Sequence, residues 1–293
     1  MAQTGSTSCS AETLLADTSD LTRYVPKSKL RRVDHYSRMA LLAAGRAIEN
    51  TGQGEAAKGE VGLIVATGYG ALNSTFSFLD SYIEKGDRLA APTFFSGSVH
   101  NAAAAYISIC YGITGPCLTV SQFDLSFVSA LITAGSWLET GKARAVLVGT
   151  VDEWSEVTGY CMESCSVDGS CGAFGEGAAF FWVTRDGASN PKFGFFEQFS
   201  MGRDPGAWNM DQGPVFFSPS STHTCRDSDL KKTLSNRTGT FIRTKGISPT
   251  DMGADALVAF AQSRKKGEKI CCIKQGQDGM FGQVVVAATG ALG

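Results

Sequence analysis

The sequence predicts an α/β fold in which a mainly parallel sheet is covered by helices on both faces. Three observations carry that prediction. Residues 61–70 (VGLIVATGYG), 143–154 (ARAVLVGTVDEW) and 177–185 (GAAFFWVTR) are continuous apolar runs, the signature of strands buried on both faces. Segments with apolar residues at helical spacing lie between and before them. The runs at 61–70 and 143–154 end in glycines or acidic residues suited to a turn.

In chain order, the first 25 residues are polar and rich in Ser and Thr, without periodicity, and predict a loosely held arm with a boundary near residue 30. Residues 34–48 predict an amphipathic helix through Tyr36, Met39, Ala40, Leu42, Ala43, Ala47 and Ile48, with Gly52 as its stop. After the strand at 61–70 come a helix over 76–84, a loop at GDRLAAPTFF and a helix over 99–111. The alanines of NAAAAYISIC give that helix a small-residue face, suited to a close helix contact, a dimer contact or plain core packing.

Residues 115–131 (GPCLTVSQFDLSFVSAL) predict a short strand, a turn and a long helix over 125–140. From residue 190 the pattern thins. It predicts a strand in KFGFFEQFSMG, a loop over 203–221, and a helix in SPTDMGADALVAFAQSRKKG with Ser248 or Thr250 as N-cap. Strands over 269–274 and 283–288 follow, so the second half reads as a shorter version of the first.

A chain of 293 residues is long enough to bury about 75% of its unfolded surface. With 43% hydrophobic residues, 18% charged residues and a mean hydropathy of −0.02, it predicts a globular protein. Its net charge of −2 lacks the basic excess of a nucleic-acid binder. No apolar run reaches membrane-span length, no secretory signal opens the chain, and nine scattered cysteines fit free thiols in the cytoplasm. The basic clusters KSKLRR (27–32) and SRKKGEK (263–269) fit solvated helix ends or small positive patches for an acidic protein.

RRVDHYSRMALLAAGRAI, GPCLTVSQFDLSFVSAL, VLVGTVDEW, CGAFGEGAAFFWV and GISPTDM stand in an order and spacing that resembles the β-ketoacyl synthases of the thiolase-like superfamily. The likeness runs over residues 31–185; beyond 190 it rests on GISPTDM and the GMFG turn at 279–282. The resemblance implies a five-layered αβαβα arrangement over residues 31–293, with a first half at 31–187 and a shortened second half at 188–293, in a protein that is usually dimeric. The family condenses acyl groups carried on acyl carrier protein. A cysteine on a strand-to-helix elbow takes the acyl chain, and two histidines of the second half drive decarboxylation. The helix dipole and free backbone N–H groups of such an elbow stabilise a thiolate.

Aligned on Gly115 and Pro116, the cysteine position holds Asp124. Aspartate is a good N-cap, so a structural role suffices to explain it. Cys117 comes seven residues earlier, before the predicted strand, and Ser121 and Ser126 flank the elbow without an evident base. Of the three histidines, His35 fits a surface or half-buried polar residue, His100 belongs near the elbow, and His223 lies in an irregular region. Neither histidine-bearing segment of the family is found.

Two functions follow from the resemblance. One is a non-condensing, chain-length-factor-like subunit working with an active ketosynthase as a heterodimer, or with itself as a homodimer, with acyl carrier protein as a further candidate partner. In many chain-length factors Gln replaces the cysteine, and Gln122 stands two residues away. The other is an acyl-thioester enzyme with changed chemistry, using Asp124, with His100, as base or nucleophile. The candidates for a pocket or tunnel are Ser121, Gln122, Phe123, Asp124, Ser126, His100, Asn101 and Phe281; Phe94, Phe95 and Phe127 fit either a tunnel wall or the core.

No cofactor or metal is expected. Gly68 and Gly70 lack the third glycine of a dinucleotide fingerprint, and Cys161, Cys165, Cys171, Cys271 and Cys272 lack the spacing of a zinc site. Asp152, Glu153 and Glu156 fit polar loop or interface groups at a strand end.

Overall fold

A computed structural model describes residues 13–51, 58–165, 174–185, 194–204, 215–218, 241–243, 251–262, 267–276 and 278–288. The strands are β1 (Thr13–Leu14), β2 (Val61–Thr67), β3 (Cys117–Ser121), β4 (Ala145–Asp152), β5 (Phe174–Gly175), β6 (Gly177–Thr184), β7 (Gly194–Gly202), β8 (Val215–Ser218), β9 (Phe241–Arg243), β10 (Lys269–Gln275) and β11 (Phe281–Ala288). The α-helices are α1 (His35–Asn50), α2 (Leu72–Lys85), α3 (Pro92–Ser98), α4 (Ala102–Tyr111), α5 (Ser126–Glu139), α6 (Glu156–Cys165) and α7 (Asp251–Gln262).

Two sheets carry the fold. The first has the order β3-β2-β4-β6, with β6 antiparallel to β4 and the other pairs parallel. The second has the order β7-β11-β10-β8-β9, antiparallel on the β7 side and parallel on the β9 side.

Strand alternation divides the first sheet between two cores. Leu63, Val65, Leu147, Val151 and Phe180 pack on α1 and α4, whereas Ile64, Ala66, Val146 and Val148 pack on α5 and α7. The second sheet closes that second core with Phe216, Ile270, Cys272, Val284 and Val286. Four rings, Phe127, Phe181, Phe196 and Phe260, fill its middle at centroid distances of 5.2 to 6.5 Å. The described elements thus stack as helix, sheet, helix, sheet; the fifth layer of the expected αβαβα arrangement falls outside the described residues.

Local chemistry sets the element ends. Asp34 caps α1 by accepting the Ser37 N–H at 2.8 Å, and Gly112, left-handed at φ 69°, ends α4. Pro92 starts α3 from within the expected loop, as a proline at the first helical position does. The helix expected from residue 99 begins at Ala102, because Val99 is extended and Asn101 is the cap.

Three further expectations are corrected. The loosely held arm is docked from Thr13 onward: β1 pairs with β5, and Leu21 and Val25, four residues apart among polar neighbours, enter the first core. The loop expected over 203–221 contains β8, whose Val215 and Phe216 are buried. The sheets are also less parallel than the apolar runs suggested, since burial on both faces does not fix strand direction. Among the described residues no helix is long and apolar enough to cross a membrane.

Candidate functional site

The 115–131 segment forms the elbow its sequence predicts. Pro116 O accepts the Leu63 N–H at 2.8 Å, and Gly115 passes so close to the Val61 carbonyl that a Cβ would collide with it. Cys117, placed before the strand by the sequence reading, is instead the first residue of β3, because this bond starts the pairing one residue early. At the turn Phe123 has φ +47°, the one positive φ outside glycine among the described residues. Such a conformation persists only where its surroundings hold it. Here Ser126, fully buried, accepts the Gln122 N–H at 2.7 Å, while its hydroxyl has Thr67 O at 2.9 Å and Phe123 O at 2.7 Å as acceptors.

The turn directs Asp124 inward, 1% exposed. From the second sheet Lys274, 0% exposed, brings its Nζ to 3.6 Å from Asp124 Oδ1. Ile270, Cys272 and Lys274 share one face of β10, and on β11 Gly282 clears the approach: a Cβ there would stand 2.7 Å from Val128 Cγ2. Asp124 is therefore one half of a buried ion pair that ties the two sheets together. Lys274 escaped the sequence reading. Its signal was the second lysine of the strand KICCIKQ, set directly after the apolar run, where a charge is either at a sheet edge or paired.

The other candidates separate. Ser121, Gln122 and Phe123 are exposed on the outer side of the elbow, where Gln122 Oε1 accepts from the Ser129 hydroxyl and Phe123 meets the Tyr69 ring edge-on at 5.9 Å. His100 and Asn101 line a groove of about 580 Å³ between α4 and the open edge of β3, with Ile109, Cys117, Leu118 and Thr119. Neither Asp124 nor any other residue of 121–126 lines that groove. Phe281, next to Gly282, is turned to the opposite face of β11. Phe127 is core, and Phe94 and Phe95 are surface residues of α3. His223, Cys171, Ser248 and Thr250 lie outside the described residues.

Asp152 and Glu153 are not loop residues but buried groups that organise the strand ends; Glu156 alone of the three is exposed. Asp152 Oδ1 accepts the Thr67 hydroxyl at 2.9 Å and the Gly68 and Tyr69 N–H groups at 3.0 and 3.2 Å. Glu153 accepts the Asn73 N–H at 2.8 Å, and burial pushes its carboxyl up to about 7. Glu176, of the GEGA motif, accepts the Ala16 and Trp154 N–H groups and faces His35 Nε2 at 2.6 Å. That contact makes His35 the half-exposed polar residue its sequence predicts, and raises its pKa.

Cys271 and Cys272, adjacent on β10, point to opposite faces, and Cys161 is exposed on α6. Among the described residues no group of three or more His, Cys, Asp and Glu is arranged to hold a metal ion.

Comparison with known proteins agrees with this geometry. The N-terminal domain model of the β-ketoacyl synthases matches residues 2–189. The 3-oxoacyl-[acyl-carrier-protein] synthase 2 proteins of Vibrio harveyi and Vibrio cholerae serotype O1 are each 25% identical over 142 residues, 48% of this chain and 34% of theirs. The matched region thus spans about a third of the length of these curated relatives.

Among solved structures, AntDE:AntF, a type II PKS acyl-carrier protein in complex with its ketosynthase bound to the hexaketide, superposes with a TM-score of 0.80 at 17% identity, covering 95% of this chain and 90% of that one. The ishigamide ketosynthase/chain length factor gives 0.74 at 20% identity, with 94% and 87% covered. A β-ketoacyl synthase from Burkholderia phymatum STM815 gives 0.69 at 14% identity, with 90% and 84% covered. With the elbow kept, the fold shared and the family model matched over residues 2–189, the chain belongs to the β-ketoacyl synthase family.

Proposed function

We propose that the protein is a non-condensing, chain-length-factor-like subunit that works in the cytoplasm beside an active ketosynthase in acyl-carrier-protein-dependent fatty acid or polyketide synthesis. The observation that carries this reading is the Asp124–Lys274 pair. At the position where the family holds its acyl-accepting cysteine, this chain has a covered carboxylate bound to a covered ammonium. An acyl thioester needs an exposed nucleophile, and a base beside it. The sequence supplies only His35, His100 and His223, none in a histidine-bearing segment of the family.

The reading of Asp124 as base or nucleophile has less support, because at 1% exposure the carboxylate has no open approach and its partner is a cation. The ishigamide ketosynthase/chain length factor, among the structural relatives, adds support for a paired subunit.

The partner ketosynthase, or a second copy of this chain, is assigned to the open edge of β3 and the groove beside it. Leu118 and Ile109 are exposed there, and the alanines of α4 allow close approach. Acyl carrier protein is assigned to the exposed Lys27, Lys29, Arg31 and Arg32. The test is co-expression with a ketosynthase and its carrier protein. A stable heterodimer whose product length changes when this subunit is altered is expected; a homodimer indifferent to both would contradict the proposal.

A further inference from the structure

Glu176 is the meeting point of three separate parts of the chain. Its Oε1 accepts the Ala16 N–H at 3.0 Å from the N-terminal segment and stands 2.6 Å from His35 Nε2 at the start of α1. Its Oε2 accepts the Trp154 N–H at 3.1 Å from the loop after β4. Residues 13–16 complete the cover: β1 pairs with β5, the Glu176 N–H donates to Leu14 O at 3.1 Å, and the Glu176 side chain is left 3% exposed. His35, by contrast, keeps 42% of its side chain in solvent and can exchange protons freely.

We propose that His35 and Glu176 form a proton-controlled clasp that fastens residues 13–18 to the body of the protein at neutral and lower pH and releases them in alkaline solution. Docking of the segment takes Glu176 out of water, and a dehydrated carboxylate needs a compensating charge. The His35 imidazolium supplies it. When His35 loses its proton the countercharge is gone, the buried anion is held by neutral N–H donors alone, and undocking rehydrates it.

The charged groups acting on His35 are Glu176, Glu153 and Arg38. The Glu176 contact outweighs desolvation and Arg38 and raises the histidine's pKa. The docked state therefore binds the proton more tightly. Its advantage is complete below the ordinary histidine range and is lost as pH rises through the raised value. Glu153, whose carboxyl ionises near neutrality, raises the His35 pKa further when charged and so holds the imidazolium to a higher pH.

The test is amide hydrogen exchange of the full chain at about pH 6 and about pH 9, corrected for intrinsic rates, with the β2 amides in the same spectra as the reference for global folding. Protection of the Ala16 amide, which donates to Glu176, should fall several-fold at the higher pH, the direction that the raised His35 pKa requires. His35→Gln should be weakly protected at both pH values, and Glu176→Gln, with no charge to compensate, protected at both. Unchanged protection in the wild type, or a wild-type pH dependence that survives in His35→Gln, would overturn the proposal. If Glu176→Gln loses its β2 protection, the wild type and His35→Gln decide alone.

Discussion

Asp124 and Lys274 make the strongest residue-level demand in the structure, because each is buried and each would be costly alone. Asp124→Ala or Lys274→Ala should destabilise the fold by about 3–5 kcal/mol, and Asp124→Leu combined with Lys274→Met should recover most of that loss. Urea unfolding of the single and double variants measures it.

Glu153 makes the opposite kind of demand. Burial holds its proton up to about pH 7, so the folded state binds that proton more tightly than the unfolded state does. Its contribution is therefore complete below the unfolded carboxylate range and lost as pH rises to about 7. Glu153→Gln, which keeps an acceptor for Asn73, should leave stability unchanged in acid and raise it by about 1–3 kcal/mol above neutrality. Thermal melts at both pH values are the check. Asp124 was legible as a substitution in the elbow sequence. Its partner was not, since pairing across 150 residues is decided by which face of β10 meets the elbow.

At the scale of elements, the elbow depends on a glycine that no other residue can replace without moving the strand. Gly115 lies against the Val61 carbonyl, a backbone atom that cannot step aside as a side-chain tip can. Gly115→Ala should cost about 1–3 kcal/mol by overpacking and loosen the β2–β3 pairing, seen as faster amide exchange at Leu63. The apolar runs made β2, β4 and β6 legible, and the 3.6-residue spacing did the same for α1 and α5.

Short elements were not legible in the same way. β8 has four residues within a Pro, Ser and Gly-rich stretch, and α3 has seven that begin within an expected loop, so each offers at most two periods, too few for a pattern to stand out. The docking of residues 13–25 was hidden for a related reason: Leu21 and Val25 anchor a mostly polar segment, and two apolar residues make no pattern.

For the whole molecule, the proposed partner surface is the edge of β3, unpaired among the described residues. Ile109 and Leu118 are exposed beside the groove, a patch that monomers tend to protect with charges. Ile109→Glu together with Leu118→Lys should leave the subunit folded and weaken its association with a co-expressed ketosynthase by at least about 10-fold, as read by sedimentation. Unchanged association would place the partner elsewhere.

The central claim is that the elbow holds a structural ion pair where the family holds a nucleophile. It is tested most directly by incubating the purified chain alone with acyl- and malonyl-loaded carrier protein and analysing the carrier-bound products by mass spectrometry. No β-ketoacyl product and no acyl adduct on the chain are expected; a condensation product, or an acyl group on Asp124, would overturn the structural role of the pair.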